Sequence, residues 1–442
     1  MIRFAFAIAA LIASGAAKAS PVLLISIDGL RPADVLEAQK RGLKIPNLRA
    51  FVEKGGSATG VRGVLPTVTY PSHATLLTGV SPAKHGIVGN TTFDPMQINQ
   101  GGWYWYASAF RVPTLWDAAR AAGLTVGNVH WPVSVGAKSI TWNLPQIWRT
   151  GHADDAAMVA ALSTPDLLED MEPRIGKYAA GIDESITGDE TRGRFAVDII
   201  ARKKPEFMTV YLTALDHEQH AEGPGTPKAH AVLERIDAVV GKIVAAQISV
   251  HPDTTIAVVS DHGFSTTDTE VSLFRAFIDE RLIALDGYGK VKSWDVMPWP
   301  SGGSIAIVLA RPDDAALTAR VGTILAKLKS DPAMRIAAIA DRASIAAMNG
   351  NPAASFYVDL APNAYAAAFK GANAPRIAPS KSKGMHGYFA DMSTMRSTFL
   401  IMGKGIAPGK SYGEIDMRAI APTLAKRLGV KLDNAEVPAL GL

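Results

Sequence analysis

Three uninterrupted apolar runs are the strongest structural signal in this chain of 442 residues. They occupy residues 21–27, 207–215 and 254–260, and β-branched side chains are frequent in each. Runs of this kind are typical of strands buried on both faces, as in a parallel sheet covered by helices. An aspartate directly follows each run: Asp28, Asp216 and Asp261.

Helical periodicity lies between these strands. Thr226 and Pro227 predict a helix start, and apolar residues then recur at three- and four-residue spacing through residue 244. Residues 114–122 and 417–428 predict two further helices, each closed by a glycine. The alternation of strands and helices predicts an α/β fold with a mostly parallel central sheet and helices on both faces.

The pattern is weaker between residues 287 and 375. An alanine-rich helix is predicted at 314–329 among short strand-like pieces, and a strand-like run resumes at 398–402. A chain of this length exceeds what a single hydrophobic core usually fills. We therefore expect a catalytic core formed by 20–286 and 376–442, with 287–375 as a smaller inserted cap subdomain beside the active site.

The first 19 residues have a different character. Arg3 precedes a short apolar run at 4–13, and small residues at 17–19 suit a cleavage site. The run is too short to span a bilayer, so the pattern predicts a signal peptide. We expect an exported protein, periplasmic if its source is a Gram-negative bacterium, with no membrane span in the mature chain.

Composition narrows the chemistry further. Hydrophobic residues make up 48% of the chain and charged residues 19%, which is an ordinary globular balance. The net charge of +4 is spread along the chain without a basic run, which argues against dedicated nucleic-acid binding. The chain contains no cysteine, so a transition metal would be held by histidine and carboxylate.

Histidines accompany the aspartates at the predicted strand ends. Asp216 and His220 are four residues apart, which places both on one face of a helical turn. The carboxyl ends of strands in an open α/β sheet line its ligand crevice, so ligands distant in sequence can converge there. Oxygen and imidazole ligands without sulfur suit Zn²⁺, with Mn²⁺ or Fe as alternatives. The candidate ligands are Asp28, Asp216, His220, Asp261, His262 and His386.

Hydroxyl groups precede a helix-like stretch at residues 74–77. The segment 66–73 reads PTVTYPSH, and a helix N-terminus favours a bound phosphate through its free N–H groups and its dipole. A threonine hydroxyl becomes an effective nucleophile when metal coordination lowers its pKa. The residues alone leave Thr67, Thr69 and Ser72 as candidates for the nucleophile.

Six segments occur in a fixed order along the chain. They read ISIDGLR at 25–31, PTVTYPSHATLLTG at 66–79, HGIVGN at 85–90, DHEQH at 216–220, SDHG at 260–263 and HGY at 386–388. Together they resemble the alkaline phosphatase superfamily and, within it, the nucleotide pyrophosphatase/phosphodiesterase (type I phosphodiesterase) family. The resemblance implies an alkaline phosphatase-like fold and hydrolysis of phosphodiester or pyrophosphate bonds in small, nucleotide-type substrates.

The same resemblance implies two zinc ions in one site. The ligands of one ion would be Asp216, His220 and His386. The ligands of the other would be Asp28, Asp261 and His262, with the Thr69 oxygen in addition. Two ions about 4 Å apart can stabilise the attacking and the leaving oxygen of an in-line displacement.

Thr69 matches the family's nucleophile in its Thr-aromatic-Pro step. In the implied reaction Thr69 attacks phosphorus, and water then cleaves the threonyl-phosphate. Asn90 matches an asparagine that contacts a phosphoryl oxygen together with the backbone N–H of Tyr70, whose ring would stack on the substrate. Val68 and Ser72 depart from the family pattern, which often has Lys and commonly Asn at these positions.

The choice between diester and monoester depends on cations beside the phosphate. Monoesterase relatives meet the additional charge of their substrate with a Lys-x-Arg pair or a third metal. The corresponding stretch 131–137 reads WPVSVGA and has no such pair, although Lys138 follows it. We therefore expect a diesterase, with a phosphomonoesterase as the main alternative and phosphonate hydrolysis or phosphoryl transfer behind it. A catalytically inactive binding protein is disfavoured, because all six ligands are present.

An aromatic cluster adds a candidate substrate pocket. It lies at 103–110 and could bind a nucleobase or could simply pack as a local loop. Its members are Trp103, Tyr104, Trp105, Tyr106 and Phe110.

Overall fold

The computed structural model describes residues 19–99 and 102–442. Residues 1–18 of the predicted signal peptide therefore lie outside the described residues. Within the described ranges, no helix is both long enough and apolar enough to cross a membrane.

The strands are numbered in chain order. They are β1 (Val22–Ile27), β2 (Gly56–Ser57), β3 (Gly60–Arg62), β4 (Val126–Val129), β5 (Trp142–Leu144), β6 (Phe207–Leu212), β7 (Thr255–Val259), β8 (Ser265–Val271), β9 (Ile283–Leu285), β10 (Val291–Trp294), β11 (Val296–Ser301), β12 (Ser304–Leu309), β13 (Ile336–Asp341), β14 (Phe356–Leu360), β15 (Asn363–Ala366), β16 (Ile377–Pro379), β17 (Gly384–Met385), β18 (Phe399–Met402), β19 (Lys410–Ser411) and β20 (Glu414–Asp416).

The α-helices are numbered in the same way. They are α1 (Pro32–Leu36), α2 (Pro46–Lys54), α3 (Thr69–Thr78), α4 (Pro82–His85), α5 (Leu115–Ala121), α6 (Asp155–Leu162), α7 (Leu167–Ile175), α8 (Ile186–Lys203), α9 (Ala214–Glu222), α10 (Pro227–Val250), α11 (Leu273–Asp279), α12 (Ala315–Ser330), α13 (Arg342–Ala347) and α14 (Ile420–Leu428). Short 3₁₀ turns occupy Ala107–Ala109, Pro332–Met334, Ser393–Met395 and Met417–Ala419.

An eight-stranded sheet forms the centre of the fold, in the order β19-β2-β18-β7-β1-β6-β4-β5. The five strands from β7 to β5 are parallel, and β18 runs antiparallel to β7. Every residue of β1, β6 and β7 is buried, as the apolar runs predict. The prediction of a mostly parallel central sheet is confirmed.

Helices cover both faces of this sheet because successive side chains of a strand point to opposite sides. Leu23, Ile25 and Ile27 of β1 pack in one hydrophobic cluster with residues of α2, α8 and α10. Val22 and Leu24 pack in another cluster with residues of α3, α5 and α14. The two-layer covering of the sheet is therefore also confirmed.

Local capping accounts for the helix boundaries. The Thr226 hydroxyl accepts a hydrogen bond from the third residue of α10, as expected for an N-cap before proline. Thr114 and Asp117 form a reciprocal capping box at the start of α5. Gly429 ends α14 with a φ of 70°, a backbone conformation that glycine adopts without steric cost.

A second sheet lies inside the predicted insertion. Its strands are antiparallel in the order β11-β12-β14-β13, and apolar residues of α12 pack against it. The tight turn between β11 and β12 reaches the central domain, where Gly303 N–H donates to the His386 carbonyl at 2.7 Å. The Ser304 hydroxyl donates to the Gly387 carbonyl at 2.5 Å. The boundaries at residues 287 and 375 stay a prediction.

Candidate active site and metal centre

The candidate ligands follow the carboxyl ends of the three central strands. Asp28 comes directly after β1, and Asp261 comes two residues after the end of β7. Asp216 differs from the expectation, because the apolar run at 207–215 is not one strand. The strand β6 ends at Leu212, and Asp216 lies in the first turn of α9.

A carboxylate far away in the sequence explains this early helix start. Asp189 accepts hydrogen bonds from the backbone N–H groups of Thr213 and Ala214 at 3.0 and 2.9 Å. Such bonds satisfy N–H groups that a helix start leaves free. The Asp189 side chain is itself buried in an ion pair with Arg192 at 2.7 Å. The result is that Asp216 and His220 sit on one helical turn, as their spacing predicts.

The first ligand group consists of Asp216, His220 and His386, whose potential donor atoms all lie within 4.8 Å of one another. The Nε2 atom of His220 is 3.3 Å from one carboxylate oxygen of Asp216. The Nε2 atom of His386 is 3.6 Å from the other oxygen. These three residues are the set expected for one ion.

The second ligand group consists of Asp28, Asp216 and His262. The Nε2 atom of His262 lies 3.3 Å from Asp28 Oδ1 and 4.0 Å from Asp216 Oδ1. It also lies 3.2 Å from Asp261 Oδ2, so Asp261 borders this group although it is not part of it. Asp216 thus belongs to both groups and lies between them, which the sequence did not predict.

All three histidines are oriented by main-chain carbonyls. In each ring Nδ1 faces a carbonyl oxygen, so Nδ1 carries the proton and Nε2 offers its lone pair towards the carboxylates. The carbonyl partners are Gly384 for His220 at 2.9 Å, Gly263 for His262 at 3.1 Å and Thr67 for His386 at 3.2 Å. A hydrogen bond from the far ring nitrogen to a carbonyl is the arrangement that fixes the tautomer of a metal-ligating histidine.

Three buried carboxylate oxygens of this site have no hydrogen-bond partner among the described residues: Asp28 Oδ1, Asp216 Oδ1 and Asp261 Oδ2. Burying an uncompensated carboxylate is costly, so the arrangement fits bound cations. Burial raises the pKa of Asp28, and the charges of Asp216 and Asp261 raise it further. Divalent ions would relieve this repulsion, and the donor set suits zinc.

The three candidate hydroxyls have different surroundings. Thr69 is the first residue of α3, and its Oγ1 lies 3.5 Å from His262 Nε2. The Thr67 hydroxyl instead donates to the Tyr388 carbonyl at 2.8 Å. The Ser72 hydroxyl is buried and has no hydrogen-bond partner in the part of the chain that the structure describes. Of the three, Thr69 is the one in contact with a candidate metal ligand.

Asn90 and Tyr70 lie beside Thr69. The backbone N–H of Tyr70 donates to Asn90 Oδ1 at 2.9 Å. The Tyr70 ring is wholly buried and packs against Trp103, with 5.3 Å between ring centroids. Trp103 stacks in turn on Trp148 at 3.9 Å, and both indoles are partly exposed. The exposed aromatic surface next to Tyr70 is therefore this tryptophan pair, in which Trp148 carried no sequence signal.

The other aromatic residues of the predicted cluster divide between two environments. Tyr104 and Phe110 pack in the same small hydrophobic cluster as Tyr70. Trp105 packs against the large cluster on one face of the central sheet, whereas Tyr106 is 54% exposed.

An acidic side chain, Glu184, lies near the site. Glu184 Oε2 lies 3.8 Å from His217 Nδ1, on the helix that carries Asp216. Burial raises the pKa of Tyr70, and the negative charges of Glu184 and Asp28 raise it further. Lys138 is exposed and lines a separate surface pocket with Arg111 and Asp117.

A mostly parallel sheet covered by helices, a second antiparallel sheet and a cluster of aspartates and histidines at the strand ends together match an alkaline phosphatase-like fold. A family model described as type I phosphodiesterase / nucleotide pyrophosphatase matches residues 22–388. The chain belongs to this family. The expected family and fold are thereby confirmed, and the family is one of phosphoric ester hydrolases, as expected for the enzyme class.

Individual relatives are distant. An uncharacterized pyrophosphatase/phosphodiesterase of Schizosaccharomyces pombe is 26% identical over 295 residues, which are 64% of this chain and 51% of the relative. Human ectonucleotide pyrophosphatase/phosphodiesterase family member 1 is 25% identical over 257 residues, covering 55% of this chain and 23% of its own length. The chain thus spans between about a quarter and a half of the length of these curated relatives.

Solved structures cover the chain more completely. Murine ectonucleotide pyrophosphatase/phosphodiesterase 5 superimposes with a TM-score of 0.64 at 19% identity, covering 96% of this chain and 98% of that one. An inactive variant of the same mouse protein, in complex with AMP, gives a TM-score of 0.64 at 18% identity over 96% and 97% of the two chains. These similarities show a shared fold.

Proposed function

We propose that this chain hydrolyses phosphodiester or pyrophosphate bonds in nucleotide-type substrates, through a threonyl-phosphate on Thr69 and with two zinc ions. The observation that carries the proposal is the contact between Thr69 and the second ligand group. Thr69 Oγ1 lies 3.5 Å from His262 Nε2, and that group shares Asp216 with the first. Membership of the family supports it.

The reaction would proceed in two displacements at phosphorus. Zinc ions held by the two ligand groups would supply positive charge to the attacking and the leaving oxygen. Thr69 Oγ1 would release its proton to solvent and bond to phosphorus, while the bond to the leaving alcohol or phosphate breaks, and the leaving oxygen keeps the electron pair and takes up a proton from solvent. Water would then attack the same phosphorus, the bond between phosphorus and Thr69 Oγ1 would break, and a proton from that water would restore the Thr69 hydroxyl.

Asn90 would bind a phosphoryl oxygen through its amide group. Its Oδ1 accepts the N–H of Tyr70, so Nδ2 remains as the donor for a substrate oxygen. The next residue is Pro71, which has no N–H. At the start of this helix, the Asn90 amide would therefore replace the backbone N–H groups as the main hydrogen-bond donor to the phosphoryl group. The Tyr70 N–H holds Asn90 in place.

The electrostatics of the site support a diester over a monoester. Glu184 brings a negative charge towards Tyr70, and Lys138 belongs to a different surface pocket. A dianionic monoester would be repelled more strongly than a monoanionic diester. The Trp103–Trp148 pair offers an aromatic surface to a nucleobase. The AMP complex of the mouse neighbour supports a nucleotide-type substrate.

Export is part of the proposal. The predicted signal peptide supports it, and so do the names of relatives, which include ectonucleotide enzymes and a venom phosphodiesterase of Naja atra. In a Gram-negative source the enzyme would act in the periplasm.

The test begins with metal content and substrate preference. Purified protein should contain two zinc ions per chain and hydrolyse bis-p-nitrophenyl phosphate with a higher kcat/KM than p-nitrophenyl phosphate. The reverse preference would favour the phosphomonoesterase alternative.

The nucleophile is tested by paired variants of one helix. Thr69→Ala should retain metal and lose turnover by at least about 1,000-fold, as expected when a covalent nucleophile is removed. Ser72→Ala, which removes a buried hydroxyl from the same helix, should change turnover little. Intact mass after rapid quenching should detect a phosphorylated wild-type chain and none for Thr69→Ala. Normal turnover of Thr69→Ala would refute the assignment.

A further inference from the structure

A buried layer of polar side chains lies directly beneath the second ligand group. It consists of Ser26 on β1, His73 on α3 and Tyr211 on β6, and each of these side chains is completely buried. None of them drew attention in the sequence, because all three sit within buried strand or helix patterns. We refer to these three residues as the underlying layer.

Tyr211 contacts the Asp28 carboxylate directly. Its hydroxyl donates to Asp28 Oδ2. The other oxygen, Oδ1, is the one that has no hydrogen-bond partner and lies 3.3 Å from His262 Nε2. The hydroxyl of Tyr211 therefore decides which Asp28 oxygen is available at the second ligand group.

Two buried histidine rings lie next to the Tyr211 ring. His73 meets it edge-on, with 4.4 Å between ring centroids, and His130 lies roughly parallel to it at 6.0 Å. Both histidines are buried, so the phenol has no room to adopt another rotamer without displacing core side chains. The position of the hydroxyl is thus fixed before any ion binds.

His73 extends the same layer to the nucleophile. Its Nδ1 faces the Thr69 carbonyl at 2.8 Å and lies 3.6 Å from Asp261 Oδ2. A nitrogen facing a carbonyl must carry the proton, so Nε2 accepts from the Ser26 hydroxyl at 2.9 Å. The underlying layer therefore touches Asp28, Asp261 and the backbone of Thr69.

The first ligand group has different support. His220 and His386 are oriented by main-chain carbonyls, and Ser382 braces this side by donating to the His220 carbonyl at 3.0 Å. Among the described residues no hydroxyl group donates to the Asp216 carboxylate, whose contacts are with the histidines. Side-chain support from a phenol is therefore specific to the second group.

We propose that Tyr211 is a positioning residue that orients Asp28 and thereby sets the zinc affinity of the second ligand group without affecting the first. This inference rests on the two-zinc part of the proposed function. Loss of a group that hydrogen-bonds to a metal ligand typically weakens metal binding 10- to 100-fold. We expect a loss of that size at one ligand group only.

The test measures zinc affinity, not turnover, in full-length protein stripped with a chelator and titrated against a chromophoric competitor. Tyr211→Phe is introduced into His220→Ala, which keeps only the second group intact, and into His262→Ala, which keeps only the first. Affinity should fall about 10- to 100-fold in the first background and stay unchanged in the second. Tyr178→Phe, which removes the hydroxyl of another buried tyrosine that packs against Phe195, is the matched control and should change neither affinity.

Three results would overturn the proposal. One is equal weakening of both groups by Tyr211→Phe, and another is no weakening of the second. The third is a wild-type chain that binds fewer than two ions. Two bound ions without diester turnover would instead refute the proposed function and leave this inference standing.

A second measurement does not depend on the variant folding. A crystal structure of the wild-type protein with zinc should show Asp28 bound through Oδ1 alone, with the Tyr211 hydroxyl still on Oδ2. Coordination through both Asp28 oxygens, or through the tyrosine oxygen itself, would contradict the positioning role.

Discussion

Asp359 gives the protein a predictable dependence of stability on pH. The residue lies on β14 of the second sheet, is 7% exposed, and accepts the Phe389 N–H at 2.9 Å. Burial raises the pKa of its carboxyl from an ordinary value of 3.8 to about 7. The charged form is therefore disfavoured in the folded protein.

The direction in which stability changes with pH follows from proton binding. Because the folded state holds this proton more tightly than the unfolded chain does, the stabilisation is complete below pH 3.8 and is lost as the pH rises to about 7. A difference of about three pKa units corresponds to about 4 kcal/mol. Asp359→Asn keeps the acceptor oxygen and removes the ionisation. The free energy of unfolding of Asp359→Asn, relative to that of the wild type, should therefore rise by about 4 kcal/mol between pH 4 and pH 8.

The assay is urea unfolding at intervals between pH 4 and pH 8, with a chelator present so that metal binding does not contribute. Asp313→Asn, whose side chain is 97% exposed, corrects for the change in net charge. A stability difference between Asp359→Asn and wild type that stays constant with pH would refute the reasoning, whatever its size.

Three further predictions concern the site itself. Gly387 has a φ of 89°, and an added Cβ would lie 1.9 Å from the Ser301 carbonyl oxygen, so Gly387→Ala should displace the adjoining metal-ligand loop and reduce bound zinc. Gly405→Ala, with a φ of 81° in open space, is the matched control, and equal zinc content in both variants would contradict the prediction. For Glu184→Gln, the ratio of kcat/KM for p-nitrophenyl phosphate to kcat/KM for bis-p-nitrophenyl phosphate should rise about fivefold, because ~1 kcal/mol of charge repulsion is removed. An unchanged ratio would show that Glu184 does not contribute to substrate preference. Trp148→Ala should raise KM for p-nitrophenyl thymidine phosphate by about 5- to 160-fold, which corresponds to the ~1–3 kcal/mol of one base–aromatic contact, and leave KM for p-nitrophenyl methyl phosphate unchanged.

Much of the fold was predictable because its signals are local. Buried runs marked β1, β6 and β7, and Thr226 before Pro227 marked the start of α10. Asp28 and Asp261 follow the ends of β1 and β7. The six candidate ligands were recognisable as a set because their segments occur in a known order. Thr69 could be separated from Thr67 and Ser72 only through the family resemblance, since all three hydroxyls lie in one short segment.

The missed features depend on contacts between distant parts of the chain. The end of β6 at Leu212 is decided by Asp189, which precedes it by more than twenty residues and belongs to another helix. The sharing of Asp216 between ligand groups follows from that early helix start. Tyr211 and Trp148 look like ordinary core residues in the sequence, and only their neighbours in space reveal other contacts.

The turn between β11 and β12 connects the second sheet to the candidate metal centre through hydrogen bonds to main-chain carbonyls. Gly303 and Ser304 bond to the carbonyls of His386 and Gly387. An ion that binds through His386 would stabilise the folded state by mass action. We expect β11 and β12 to share this stabilisation, because their turn is hydrogen-bonded to the loop that carries His386. Zinc availability would therefore govern how often the second sheet opens. Slower amide hydrogen exchange in β11 and β12 would report occupancy of a centre that those strands do not themselves coordinate.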